Sequence, residues 1–286
     1  MTGSPWVAVQ QTRIAGQRRA RDAAYRRGLL RADVYVCEFP KSGGSWVTAL
    51  ATDLLRESGR TRPAVMHVHW RQRPLYRPAV YVLRDGRDVV VSLYFHHVRH
   101  LLGRTIWTRR VHRFFSNVLG AGYDPNDARC NLPRFIESLY RRPFGGLLRP
   151  GQDSSFLPWP DHVGDWLHAP GVLVVRYEAL HEAPARELGR IQEQIGTSLE
   201  APGLEAVIER NSFARKAGRQ PGAEDRTSFL RKGVVGDWRT WFTADAGRAF
   251  LDFGGPALQE LGYEPDSTWA DRLPATHSSP GSSCLS

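Results

Sequence analysis

The stretch Phe39-Pro40-Lys41-Ser42-Gly43-Gly44-Ser45-Trp46 gathers residue types that bind a phosphate-like anion. An apolar run precedes it and a helical pattern follows. A turn between a strand and a helix presents free backbone N–H groups and the positive end of the helix dipole. Gly43 and Gly44 let the backbone come close to a ligand. Lys41 adds a mobile cation with three donors, and Ser42 and Ser45 add hydroxyls. Trp46 offers a flat face to a base, a contact worth about 1–3 kcal/mol in nucleic-acid binders. The order is wrong for a Walker A loop, because the lysine precedes the glycines and no Lys-Ser/Thr pair follows them. The loop therefore suits a phosphate-type anion on a purine without bound Mg²⁺. An ordinary strand-to-helix turn has the same composition.

Two further stretches offer cations. Arg84 ends an apolar run, and Ser92 lies about two turns into the helical pattern that follows. An arginine fork suits a terminal phosphate, although arginines at strand ends are common. Arg231 and Lys232 stand directly before Gly233, an arrangement that suits a phosphate contact or a solvated loop. In Met-His-Val-His-Trp, His67 and His69 fall on one side of a strand by the period of two. A histidine neutral near pH 7 is a suitable general base. His96, His97 and His100 cluster nearby, but no cysteine or carboxylate stands at ligand spacing. They are read as polar residues around a pocket, with no metal.

The elements that must position these groups follow from periodicity. Residues 34–39, 64–69, 79–84 and 171–180 read as short buried strands. Helical patterns begin at Ser45, Gly86 and Glu182. Alternation of this kind predicts an α/β fold: a single domain with a central parallel β-sheet flanked by helices. Residues 99–160 are rich in arginine, aromatics, glycine and proline, and read as loops and helices covering a pocket. Within them, 101–122 reads as a helix packed by its aromatics, with a pocket lining or a lipid-facing surface as alternatives. The expected layout is a basic N-terminal helical segment over 1–33, the domain over 34–265, and a Ser/Pro-rich disordered tail over 266–286. Seven arginines lie between Arg13 and Arg31. They read as a solvated helix face at the domain edge rather than a surface for acidic lipid.

The 286 residues carry 39 Lys+Arg against 29 Asp+Glu, a formal charge of +10. Such a balance favours polyanions, acidic membrane surfaces or phosphorylated small molecules. No nucleic-acid motif accompanies it. Three widely spaced cysteines argue against a disulfide scaffold and for a reducing compartment. No apolar run reaches the roughly 20 residues of a spanning helix, and no secretory leader is visible, so the expected location is cytoplasmic.

Taken together, three stretches resemble the cytosolic-type sulfotransferases that use 3′-phosphoadenosine 5′-phosphosulfate (PAPS). FPKSGGSW is similar to their 5′-phosphosulfate loop, YPKSGTTW. YVLRDGRDVVVSLYFH resembles their 3′-phosphate motif, and FLRKGVVGDWRTWFT their RKGxxGDWKxxFT motif, with Arg239 at the lysine. WPDHVGDW and VLVVRYEAL resemble further family stretches. The resemblance spans residues 34 to about 262, with the motifs in the family's order. It implies that Lys41 stabilises the leaving group and that Ser42, Gly43, Gly44 and Ser45 hold the 5′-phosphate. Trp46, Tyr177 and Phe213 would contact adenine. Arg84, Ser92, Arg231, Lys232 and Gly233 would hold the 3′-phosphate. His69 falls at the catalytic histidine, and His67 at a position where the family carries lysine. The implied acceptor is a small molecule or lipid bearing a hydroxyl or amine; peripheral membrane contact stays open, and no metal is required.

Overall fold

Alternation along the strands sorts side chains onto two faces of one sheet. The computed structural model describes residues 23–25, 27–145, 147 and 157–275. Strands β1 (Val34–Glu38), β2 (Val65–Val68), β3 (Ala79–Leu83) and β4 (Val172–Arg176) pair in parallel in the order β2-β1-β3-β4. β1 pairs with β2 with Val34 opposite Val65 and Val36 opposite His67. On one face Val34, Val36, Val80, Val82 and Val175 pack with Val47, Leu50 and Leu54 of helix α1 (Gly44–Glu57). On the other, Tyr35, Cys37, Tyr81 and Leu83 pack with the aromatic core. A parallel sheet covered on both faces is the expected consequence of strand-to-helix crossovers.

Helix α2 (Gly86–Leu102) follows β3. The middle region forms α3 (Thr108–Leu119), α4 (Ala128–Leu139) and α5 (Trp159–Leu167). Phe114 and Phe115 of α3 are buried, as the helical reading of 101–122 expected. The run 171–180 is only half strand. β4 stops at Arg176 and α6 (Tyr177–Glu182) begins at once. Tyr177 and Leu180 are buried three residues apart, a helical spacing that an apolar composition conceals. Then come α7 (Pro184–Ile195), α8 (Ala201–Arg210), α9 (Phe213–Ala217), α10 (Trp238–Trp241) and α11 (Ala244–Glu260).

The chain remains ordered past residue 266. Ser267–Arg272 form a 3₁₀ turn, and Trp269 is buried against Trp238 and Phe242. A tryptophan can anchor a segment whose polar neighbours resemble a tail. Residues 276–286 lie outside the described residues, as do most of those in the basic N-terminal segment. Of the latter, Tyr25 is buried edge-on against Tyr35. Among the described residues no helix is long and apolar enough to cross a membrane. Cys37 is a free, buried thiol.

A charged residue helps hold the core. Arg87 is 1 % exposed, and its guanidinium donates to both oxygens of Asp85 and, at 2.5 Å, to Glu264. Its Cζ lies 3.8 Å over the ring of Trp238 and 4.6 Å over that of Trp269. Removing one partner from such a network leaves buried carboxylates uncompensated. Arg87→Ala should therefore lower unfolding stability by about 3–5 kcal/mol, measured by denaturant titration. A loss below about 1 kcal/mol would show the network to be as weak as an exposed pair.

Candidate active site

The predicted anion loop closes the C-terminal end of β1 and feeds α1. Lys41 has φ 78°, an unusual value for a residue with a Cβ, and Gly43 has φ 109°. At Gly43 an added Cβ would stand 2.5 Å from the Tyr177 ring, so only glycine lets this ring lie against the loop. At Gly44 it would meet His67 Nε2 at 2.6 Å and Glu38 Cδ at 2.7 Å. Ser42 is buried and Ser45 exposed. The Lys41 ammonium lies 4.0 Å from the centre of the Phe229 ring. Burial, together with Arg99, Arg84 and Arg231, brings its pKa down to about 8 against the opposing pull of Glu38.

Glu38, the last residue of β1, joins the loop to the histidines. Its Oε2 accepts from the Gly44 N–H at 2.5 Å, and His67 Nε2 lies 3.0 Å from Oε1. His69 Nδ1 lies 3.1 Å from the Glu38 carbonyl oxygen. A carbonyl only accepts, so Nδ1 of His69 carries the proton and the neutral ring keeps its lone pair on Nε2. Burial depresses the His69 pKa below its ordinary value, which Glu38 partly opposes. Burial would raise the Glu38 pKa, but the His67 hydrogen bond, the two neighbouring imidazoles and the Gly44 N–H hold it near 2. The sequence reading missed Glu38 altogether and assigned the Gly44 N–H to an anion; here it serves Glu38. Strand register brings it there: with Val36 opposite His67, Glu38 lies beside the histidine pair. Glu38, His67 and His69 also have metal-ligating atoms within 4.8 Å of one another, and a hydrogen bond already joins Glu38 to His67.

The second and third motifs meet around Asp88 of α2. Arg84 Nη2 donates to Asp88 Oδ2 and to the Val234 carbonyl, each at 3.1 Å, and Nη1 donates to the Lys41 carbonyl at 3.3 Å. Asp88 also accepts the N–H groups of Gly236 and Trp238. Arg231 pairs with Glu224 and Asp237, and Lys232 donates to Asp237 at 2.5 Å. Burial raises the Asp237 pKa, but these two cations outweigh it and lower it. Arg231 Cζ stands 4.5 Å over the Phe95 ring, one turn beyond half-buried Ser92. Arg84, Arg231 and Lys232 are thus gathered beside the loop, and each is held by a carboxylate.

Aromatic rings wall the opposite side. Trp46 stands edge-on to Tyr177 at 6.0 Å and to His181 at 5.0 Å, and Arg84 Cζ lies 4.2 Å over Tyr177. Trp46 Nε1 and His181 Nε2 are buried without hydrogen-bond partners. A base edge would satisfy such orphaned atoms. His181 escaped the sequence reading because its run looked like strand. Phe213 packs on the other flank, against Gly233. His97 donates from Nδ1 to the Leu93 carbonyl at 2.7 Å, its Nε2 lies 3.3 Å from the Gly145 carbonyl oxygen, and it serves the core, while His100 bonds Thr105.

The family described as "Sulfotransferase domain" matches residues 55–262, most of the chain, and the chain belongs to it. It is a sulfotransferase. The match begins beyond the loop. Sulfotransferase 1A1 of Bos taurus is 26 % identical over 250 residues, covering 76 % of this chain and 80 % of that protein. Sulfotransferase 2B1 of Mus musculus is 23 % identical over 265 residues, covering 76 % and 69 %. Mouse sulfotransferase SULT7A1, crystallised with PAP, has a similar fold: TM-score 0.53 at 17 % identity, over 80 % of this chain and 86 % of that one. Retinol dehydratase, crystallised with androsterone and PAP, gives 0.55 at 16 %, over 81 % and 82 %.

Gly43→Ala should weaken adenosine 3′,5′-bisphosphate (PAP) binding at least tenfold, about 1.4 kcal/mol, because it displaces the Tyr177 ring and strains the loop. Calorimetric titration checks it; an unchanged affinity would detach Tyr177 from the nucleotide site.

Proposed function

We propose that the protein transfers a sulfuryl group from PAPS to a hydroxyl or amine of a small-molecule or lipid acceptor. The observation that carries this reading is a convergence: a cationic Lys41 and the proton-accepting nitrogen of His69 lie close together beside the anion loop that opens α1. Ser42, Gly43 and Ser45 supply the remaining contacts for the 5′-phosphosulfate. Trp46, Tyr177, His181 and Phe213 receive adenine. Arg84 and Ser92, with Arg231, Lys232 and Gly233, receive the 3′-phosphate, which competes with Asp88 and Asp237 for those cations.

In the reaction, His69 Nε2 takes the acceptor proton as the acceptor oxygen or nitrogen attacks sulfur. The bond from sulfur to the bridging oxygen breaks in line, and its electron pair goes to the departing phosphate. Lys41 stabilises that charge, an electrostatic contribution realised only as the bond breaks. The products are the sulfated acceptor and PAP. Phe144, 5.9 Å from His69, and Phe229, beneath Lys41, give the acceptor side an apolar wall. That wall suits an aromatic or aliphatic body better than a sugar.

Lys41→Ala should lower kcat by about 10²–10³-fold, as for loss of one transition-state donor, and weaken PAP binding far less. Equal losses would make Lys41 a mere anion anchor. His69→Ala should abolish turnover of PAPS with a phenolic acceptor and leave PAP affinity near normal. The depressed His69 pKa sets the sign of the acid limb. The ring stays neutral, and the base stays active, until the pH falls below the ordinary histidine value of about 6.5. A limb above that value would contradict His69 as the base.

A further inference from the structure

From Val89 to Tyr123 the sequence carries five arginines and no acidic residue. They are Arg99, Arg104, Arg109, Arg110 and Arg113, spread over the last turn of α2, the turn that follows and α3. Among the described residues no ion pair with a carboxylate holds any of them. Arg84, Arg231 and Lys232 differ, because an acid holds each of those. A face kept only for solubility mixes both signs, since like charges repel. Five uncompensated cations in one stretch are instead what an anionic surface neutralises.

Apolar side chains stand out among them. Ile106 is 93 % exposed and Leu102 44 %. The turn that presents them is held by hydrogen bonds. The Thr105 hydroxyl lies 2.8 Å from His100 Nδ1 and accepts the Trp107 N–H, and the Thr108 hydroxyl donates to the His100 carbonyl. Thr105 thus folds inward, and Ile106 after it faces solvent. Trp107 is half-buried, with Arg110 Cζ 5.3 Å over its ring. α3 cannot lay its apolar side on another surface, because Val111, Phe114 and Phe115 are already buried in the core. It presents the opposite face, where Arg109 and Arg113 are exposed one turn apart, below the apolar tip.

We propose that this turn and the exposed face of α3 dock on a bilayer rich in anionic lipid. The arginines meet headgroups, Ile106 and Leu102 enter the acyl boundary, and Trp107 lies at the interface. A polynucleotide would meet the arginines as well, but it has no counterpart for an aliphatic side chain. An acidic protein would need a pocket for Ile106, whereas a bilayer needs none. The docked turn also borders the acceptor side. Arg99, one turn before Leu102, has its Cζ 5.7 Å from the centre of the Phe229 ring, over which Lys41 lies, and Phe229 is itself 47 % exposed. Docking does not rest on the sulfuryl-transfer reading, but its use does: an acceptor dissolved in the bilayer would pass Phe229 to reach Lys41 without crossing bulk water.

The test is co-sedimentation of the full chain with vesicles of phosphatidylcholine alone, or of phosphatidylcholine and phosphatidylserine in equal parts, at physiological salt. Binding to the mixed vesicles should be at least about tenfold tighter. Ile106→Ser should weaken it about tenfold, the effect of exposing an isoleucine that the bilayer had buried. Arg109→Gln with Arg113→Gln should weaken it about 20-fold, or about fivefold per arginine. Arg186→Gln with Arg248→Gln removes the same charge from exposed, acid-paired arginines of α7 and α11, and should change it less than about threefold. All variants should keep wild-type PAP affinity, which shows that they fold. Equal binding to both vesicle types overturns the proposal. So does Ile106→Ser that binds as wild type, or a loss in the Arg186/Arg248 pair as large as in the Arg109/Arg113 pair. A DNA duplex that displaces the protein from the mixed vesicles overturns it in favour of a nucleic-acid surface. If the chain docks as expected but turns over no PAPS with any acceptor, the sulfuryl-transfer reading fails and the docking surface stands.

Discussion

The buried carboxylate of Asp88 holds three distant parts of the chain in one place. It stands in the first turn of α2, wholly out of solvent, and receives Arg84 from the end of β3 and the N–H groups of Gly236 and of Trp238, the first residue of α10. Arg84 in turn reaches the carbonyls of Lys41 and Val234. Burying an acid is unfavourable unless its oxygens are satisfied, and here both oxygens are. The late cationic loop is thereby fastened beside the anion loop, although about 190 residues separate Lys41 from Lys232 in the sequence. Without this junction the sheet would still form, but the cations would have no common target.

Charge in this site is arranged in pairs. Asp88 answers Arg84, and Asp237 answers Arg231 and Lys232. A pocket with that many bare cations would repel itself in the absence of ligand. Carboxylates hold the cations in place; in the proposed reading a phosphate competes with them for donors that are already oriented. Lys41 is the exception. It has no carboxylate in contact among the described residues and lies over Phe229, and its lowered pKa expresses that crowding. A lysine so placed gains most when negative charge develops beside it, which is the condition of a departing phosphate.

Much of this was legible in the sequence, and for a local reason. A strand, a tight turn and a helix are each specified by neighbouring residues, so the anion loop, Arg84 at a strand end and the histidine pair could be placed by period alone. The pairings could not. Glu38 read as one more residue of a buried strand, and only the β1–β2 register shows it facing His67. His181 was hidden because an apolar run continues from β4 into α6 without a break in composition. Trp269 was hidden in a polar segment, and the carboxylate partners of Arg84, Arg231 and Lys232 were not singled out. Each of these is a contact across the fold, set by topology rather than by spacing.

The central claim is that the loop from Phe39 to Trp46 and the cations around Asp88 bind a nucleotide bearing both a 5′- and a 3′-phosphate. Calorimetric titration with PAP, with adenosine 5′-monophosphate and ATP–Mg²⁺ as comparisons, tests it most directly. Binding of PAP that is independent of metal and at least about 100-fold tighter than that of the monophosphate, some 2.7 kcal/mol, is the predicted result. Equal affinity for PAP and the monophosphate would contradict it, because Arg84, Ser92, Arg231 and Lys232 would then hold no phosphate.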